Sequence, residues 1–213
     1  MSCKTMMLFL LPIFLLQCDF ADKGVDYQTA LQNGAFQNGD IIFQTSTSSQ
    51  SKAIQLATHS RYSHIGIIYQ ENDKYWVFEA IQPVKLTPLK KWIKRGENGQ
   101  YVVKRLKNAE EVLTSKTLQQ MQKIGERFLG KDYDLYFEWS DKRIYCSELV
   151  WKIYKEALGI ELGHLATLES FDLSSPIVQT KMRERYGNYI PMEELVISPD
   201  AIFQSPLLIT VEN

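Results

Sequence analysis

A domain that mixes strands with helices is what this sequence predicts, and three stretches carry the prediction. Ser63 to Tyr69 is dominated by Ile and Gly, and Tyr75 to Ala80 by aromatic and β-branched residues. Between them Glu71-Asn72-Asp73-Lys74 supplies turn chemistry, so the pair reads as a β-hairpin. Beyond Glu110 the period changes: Leu118, Met121, Ile124 and Phe128 fall at helical spacing, with Thr114 or Ser115 to cap the start and Gly130 to end it. A second helical stripe of Leu149, Val150, Ile153 and Ala157 follows Asp141 as N-cap and stops at Gly159.

The other elements are shorter. Gly39 to Gln44 is a turn and a first strand. Thr45 to Ser51, rich in serine and threonine, is a loop, and Lys52 to Thr58 a short helix with Ala53, Ile54 and Ala57 inward. Pro83 and Pro88 punctuate a connection, Leu89 to Arg95 forms a short helix and Tyr101 to Leu106 another strand. Tyr133 to Trp139 alternates aromatics with acids, as an edge strand or an extended loop. Residues 160 to 190 show the least pattern, and the Lys181 to Arg185 piece reads as a solvated helix face. Val196 to Asp200 and Leu207 to Val211 read as further strands. There is no internal repeat, low-complexity tract or metal-ligand spacing.

With 213 residues, 45% of them apolar, the chain suits one domain with a substantial core. A formal charge of −1 gives no nucleic-acid footprint. The apolar run from Met6 to Leu16, broken by Pro12, is too short for a span of ~20 residues but suits the core of a secretory signal. Leu15-Leu16-Gln17-Cys18 resembles a bacterial lipobox, although Gln17 departs from the small residue usual before the cysteine. The expected organisation is a signal peptide over 1–17, a tether over 18–37 beginning at a lipidated Cys18, and a catalytic domain over 38–213. The protein is accordingly expected to be exported to the cell envelope and tethered to a bacterial membrane.

That leaves Cys146 as a lone thiol outside the cytoplasm, in Ile144-Tyr145-Cys146-Ser147-Glu148-Leu149-Val150 near a helix start. The positive end of a helix dipole favours thiolate, the species that attacks carbonyls. A buried inert cysteine is the plain alternative. Thiol attack on an amide needs a base, a group to orient that base, and donors for the oxyanion. His64, near the start of the first hairpin strand, and Glu79, near the end of the second, come close if the strands pair. His59 and His164 compete with His64, which is preferred because a strand holds a base more rigidly than a loop and small Gly66 leaves room beside it. Glu79 competes with a surface reading in which Trp76, Phe78 and Ala80 form the buried face. The backbone N–H of Cys146 is the natural oxyanion donor, with Tyr62 or Tyr145 as candidates for a hydroxyl. Cysteine, histidine and an acid occur in most chains of this length, so spacing alone does not single these three out.

Four motifs do. Gly39-Asp40-Ile41-Ile42-Phe43, Tyr62-Ser63-His64-Ile65-Gly66-Ile67, Val77-Phe78-Glu79-Ala80 and Tyr145-Cys146-Ser147-Glu148-Leu149-Val150 resemble, in order and spacing, the YiiX-type permuted papain-like cysteine peptidases. These are relatives of the NlpC-type cell-wall amidases and, more distantly, of lecithin retinol acyltransferase. The resemblance runs from about Gly39 to Ser198-Pro199-Asp200. It implies an α+β, circularly permuted papain-like fold with an antiparallel sheet packed against the nucleophile-bearing helix. It also implies Cys146 as nucleophile, His64 as base and Glu79 as orienting acid. The expected function is a cysteine amidase or peptidase acting on cell-wall or other short peptides, with no metal or organic cofactor. A thiol-dependent acyltransferase or lipid esterase, and a non-catalytic binding domain, are the alternatives.

Overall fold

The computed structural model describes residues 35–211; the leader and Cys18 lie outside the described residues. Five strands, β1 (Ile41–Gln44), β2 (His64–Glu71), β3 (Lys74–Glu79), β4 (Lys85–Pro88) and β5 (Val102–Leu106), form most of one sheet. The short β6 (Ala166–Thr167) and β7 (Leu195–Val196) pair apart from it, and β8 (Leu208–Thr210) completes it. The order is β4-β3-β2-β1-β5-β8, with every neighbouring pair antiparallel. The helices are α1 (Ser49–Thr58), α2 (Leu89–Arg95), α3 (Ala109–Val112), α4 (Ser115–Glu126), α5 (Cys146–Leu158), α6 (Pro176–Tyr186) and α7 (Pro199–Phe203). The architecture is α+β, as the motifs imply.

Strand alternation divides the core into two layers. Ile41, Phe43, Ile65, Ile67 and Phe78 face α4 and α5, where they join Met121, Leu149, Val150 and Ile153. Ile42, Ile68, Val77 and Val103 face the other way, under Leu89, Trp92 and Ile93 of α2. Because both faces are covered, β2 is buried from His64 to Tyr69 and has no solvent-facing polar alternate there. Each isoleucine so buried contributes roughly 1.5–3 kcal/mol of transfer free energy. The hairpin turn is tight, with Asn72 and Asp73 both left-handed at φ 48° and 59°. Gly66 is needed for packing rather than to leave room at His64: a Cβ there would sit 2.4 Å from Val77 Cγ1.

Several boundaries differ from the sequence reading. Helix α1 begins three residues early because the Ser48 side chain accepts from the Ser51 N–H. Asp141 does not cap α5; Tyr145 does, with Glu148 accepting from its N–H at 3.4 Å, while Asp141 pairs with Lys152 at 2.7 Å. The Pro83–Pro88 connection contains β4, paired to β3 through Glu79↔Lys85. Tyr133 to Trp139 is irregular, bridged to Ile144 at Tyr133. Val196 to Asp200 leaves β7 after Val196, and Ser198 caps α7 by accepting from the Ala201 N–H. Phe36, read as tether, is 3% exposed and packs edge-on to Tyr75.

Candidate active site

Cys146 is the first residue of α5, where N–H groups have no intrahelical carbonyl to bind. Antiparallel pairing carries the start of β2 and the end of β3 to that same point, so His64 and Glu79 converge there. The imidazole hydrogen-bonds the thiol on one side. On the other, its Nε2 lies 2.5 Å from Glu79 Oε2. The ring also stacks on Trp92 at 5.8 Å and 25°, which fixes its plane. Glu79 is fully buried and so belongs to the interior, not the surface. Three donors hold it: His64, the Thr87 hydroxyl at 2.6 Å from Oε1, and the Arg95 guanidinium on Oε2.

The electrostatics follow from those contacts. Burial opposes ionisation of Cys146, but the His64 hydrogen bond and charge, aided by the Ile65 and Ser147 N–H groups, outweigh it and bring the thiol below its ordinary value. Burial likewise disfavours imidazolium, yet contact with Cys146 and Glu79 raises His64 to about 9. Burial would raise Glu79, but His64 and Arg95 together bring it to about 2. The arrangement therefore favours a thiolate–imidazolium pair with an ionised carboxylate behind it.

The sequence reading missed four participants: Trp92, Thr87, Arg95 and Tyr133. Thr87 and Arg95 come from β4 and α2, a stretch read as a connection and a short helix. The Tyr133 hydroxyl hydrogen-bonds the Cys146 sulfur and accepts from Gln50 Nε2 at 3.3 Å; burial, then the thiolate charge, raise its pKa well above the ordinary value. Of the two tyrosines singled out from sequence, Tyr62 packs against Phe43 and Phe203 and borders neither cavity at the site. Tyr145 adjoins Cys146, but its hydroxyl accepts from the Ile197 N–H at 3.1 Å. His59 pairs with Asp172 at 3.2 Å with its side chain 75% exposed, and His164 is exposed on a loop; neither lines the cavities that Cys146 and His64 border.

Two cavities meet at the pair. One lies beside Cys146 under α1, α6 and β7; Ala53, Ile54, Leu168, Val178, Met182 and Val196 give it apolar walls. The other opens on the His64 side past Ser46, Ser48, Gln50, Gln82 and Arg95. The Thr45–Ser51 loop and α6, the latter read as a solvated face, thus both supply cleft residues.

A thiol on a helix start, met by a strand histidine that precedes it in the chain, defines a permuted papain-like cysteine amidase or peptidase. The chain belongs to that family: the model of the permuted papain-like amidases, the YaeF/YiiX or C92 family, matches residues 35–212. Over 175 residues the chain is 56% identical to the uncharacterized protein YiiX of Escherichia coli K12, covering 82% of this chain and 85% of that one. A crystal structure from Escherichia coli O157:H7, described as metalloprotein yiiX, superposes with a TM-score of 0.79 at 55% identity, covering 83% of this chain and 97% of that one.

Proposed function

We propose that this protein hydrolyses amide bonds of cell-wall or other short peptides through an acyl-enzyme on Cys146. The observation that carries the reading is the buried thiol hydrogen-bonded to His64 at the junction of the two cavities. The thiolate attacks the carbonyl carbon, a C–S bond forms, and the carbonyl electrons move to oxygen. The Cys146 N–H and the Tyr133 hydroxyl are the donors placed to receive that oxyanion. As the intermediate collapses, the C–N bond breaks and the leaving amine takes the proton of the His64 imidazolium. Water then attacks the thioester, His64 takes its proton, and the acid departs as thiolate re-forms. Glu79 keeps the imidazole in one tautomer and orientation throughout, as orienting carboxylates do.

The apolar walls beside Cys146 support an acyl side with a large apolar group, and the polar-rimmed cavity past His64 supports a polar leaving group. Those apolar walls also favour a second reading, in which an acyl chain is released from an ester or passed to another acceptor. Export and a lipid on Cys18 remain part of the proposal on sequence grounds. Among the described residues no group of three or more His, Cys, Asp or Glu side chains is arranged to hold a metal ion, and no step above runs through one.

The test is hydrolysis of a panel of N-acyl amino-acid p-nitroanilides and p-nitrophenyl esters by the wild type and Cys146→Ala, with and without an added amine. Turnover by the wild type alone, with an acyl adduct on Cys146 in the mass spectrum, is the expected result. Turnover that survives Cys146→Ala overturns it, and an amide product formed from the added amine selects the transferase reading.

A further inference from the structure

The layer that α2 lays over the sheet carries exposed charge of one sign. Between Glu79 and Glu97 the chain holds five basic residues and no acid. Arg95 is answered by Glu79. Lys85, Lys90, Lys91 and Lys94 are exposed, and among the described residues none of them enters an ion pair. Leu89, Trp92 and Ile93 bury one side of α2, and at about 100° per residue Lys90, Lys91 and Lys94 fall on the opposite side. Lys85 joins them from β4: it stands opposite Glu79 as Thr87 stands opposite Val77, and Val77 packs under α2. The layer across the sheet mixes its signs, with Glu110, Glu111 and Glu126 among Lys116 and Lys123 on α3 and α4.

The whole chain, at a formal charge of −1, has no net attraction to an anionic surface, so any such attraction must come from this segregation. The place where the chain enters the domain adds a second observation. Phe36 lies in the same cluster as Leu89, Trp92 and Ile93, so the chain enters on the side of the sheet that α2 covers. Sixteen residues separate Cys18 from Ala35, and a lipid on Cys18 would hold Ala35 within about 60 Å of a bilayer. Within that reach, lysines and anionic headgroups attract over about a Debye length, ~8 Å at physiological salt.

We propose that the exposed lysines of α2 and β4 form a docking face for an anionic phospholipid surface, against which the tethered domain rests. The inference rests on export and the lipid on Cys18 only for bringing the domain to a membrane. The contact itself is between ammonium groups and headgroup phosphates, and none of the four lysines lines either cavity at the thiol.

The experiment is co-sedimentation of residues 18–213, produced without lipid, with vesicles of phosphatidylcholine alone or mixed in equal parts with phosphatidylglycerol. Three proteins are compared: the wild type, a variant with Lys85→Gln, Lys90→Gln, Lys91→Gln and Lys94→Gln together, and a control with Lys107→Gln, Lys116→Gln, Lys123→Gln and Lys142→Gln. The control removes the same charge from exposed lysines elsewhere. The wild type is expected to bind the anionic vesicles about tenfold or more tighter than the neutral ones, and to lose most of that preference between about 50 and about 500 mM salt. The α2–β4 variant should lose the preference and the control should keep at least half of it. Equal binding to both vesicles, a preference that survives the α2–β4 variant, or one lost equally in the control would each overturn the proposal. A wild-type dimer formed without vesicles and lost in the α2–β4 variant would assign the face to a second copy of the chain and overturn it too. An unchanged rate of Cys146 alkylation by iodoacetamide shows that the variants are folded. The mass of the chain recovered from cells reports the lipid on Cys18 separately.

Discussion

On the hairpin side of the cleft every charge near the thiol has a fixed partner, whereas on the α6 side one has no ion-pair partner among the described residues. His64 is bound by Cys146, Glu79 and Trp92, and Glu79 by His64, Thr87 and Arg95. Across the cavity, Arg185 leans on a ring and, among the described residues, forms no ion pair, although the charges of Glu184 and Asp134 reach it. The difference separates two jobs. Groups that move protons must be held before the substrate arrives, because reorganisation during reaction is what preorganised sites avoid. A group that recognises substrate is most selective when its own partner is missing until the ligand supplies it. In energetic terms the hairpin wall is satisfied by its own hydrogen bonds, whereas the α6 wall holds a half-buried guanidinium with no ion pair among the described residues.

The largest expected effect breaks the hairpin wall outright. A free thiol of pKa about 8.5 is well under 1% ionised at pH 6, so a thiolate held by His64 should react about a hundredfold faster there. His64→Ala is therefore expected to lower the iodoacetamide alkylation rate of Cys146 at pH 6 by about two orders of magnitude. A rate within threefold of wild type would show that the helix start ionises the thiol without the hairpin.

Glu79→Gln comes next and is read through stability. Glu79 is held at about 2, below its ordinary 4.5, so what it contributes is present above about 4.5 and lost as pH falls toward 2. His64 is raised from 6.5 to about 9, so its contribution is present below 6.5 and lost as pH rises through 9. The gap in urea midpoint between wild type and Glu79→Gln should thus be widest between pH 4.5 and 6.5. Removing one partner of a buried charge cluster costs on the order of 3 kcal/mol. A gap that does not vary with pH would mean that ionised Glu79 and His64 do not stabilise the fold.

The same contrast explains what the sequence disclosed. The hairpin is legible because alternation and turn chemistry are local, and Cys146 because its motif and the apolar stripe of α5 start together. The support of Glu79 is not, since Lys85-Leu86-Thr87-Pro88 is a short edge strand ending in proline, and only the sheet register brings Thr87 and Arg95 to the carboxylate. Tyr133 comes from an irregular segment whose position is set by its bridge to Ile144 rather than by a repeat. Helix α6 misleads for a different reason: Val178 and Met182 are its only buried residues, so its charges read as a solvated face although two of them line a cavity.

A smaller effect sharpens the hairpin side. Arg95 shares Glu79 Oε2 with His64 but is 37% exposed, so it tunes the carboxylate more than it holds it. Without the guanidinium the pKa of Glu79 rises toward its ordinary 4.5, and part of it is neutral near pH 4. Arg95→Met should slow alkylation several-fold, roughly three to ten times, at pH 4 and under about twofold at pH 7, with Arg95→Lys between. An equal loss at both pH values would assign Arg95 to packing instead.

The smallest effect belongs to the histidine that the hairpin does not hold. His59 ends α1 in a left-handed conformation at φ 50°, and its ion pair with Asp172 is open to solvent, where counter-ions screen it. Imidazole chemistry is the same at His59 and His64; what differs is that one ring has a buried carboxylate, a thiol and an indole around it, and the other a single solvent-exposed carboxylate. His59→Ala should therefore leave both the alkylation rate of Cys146 and the urea midpoint at their wild-type values. A measurable fall in alkylation would place a second base within reach of the thiol and undo the division between a held wall and an open one.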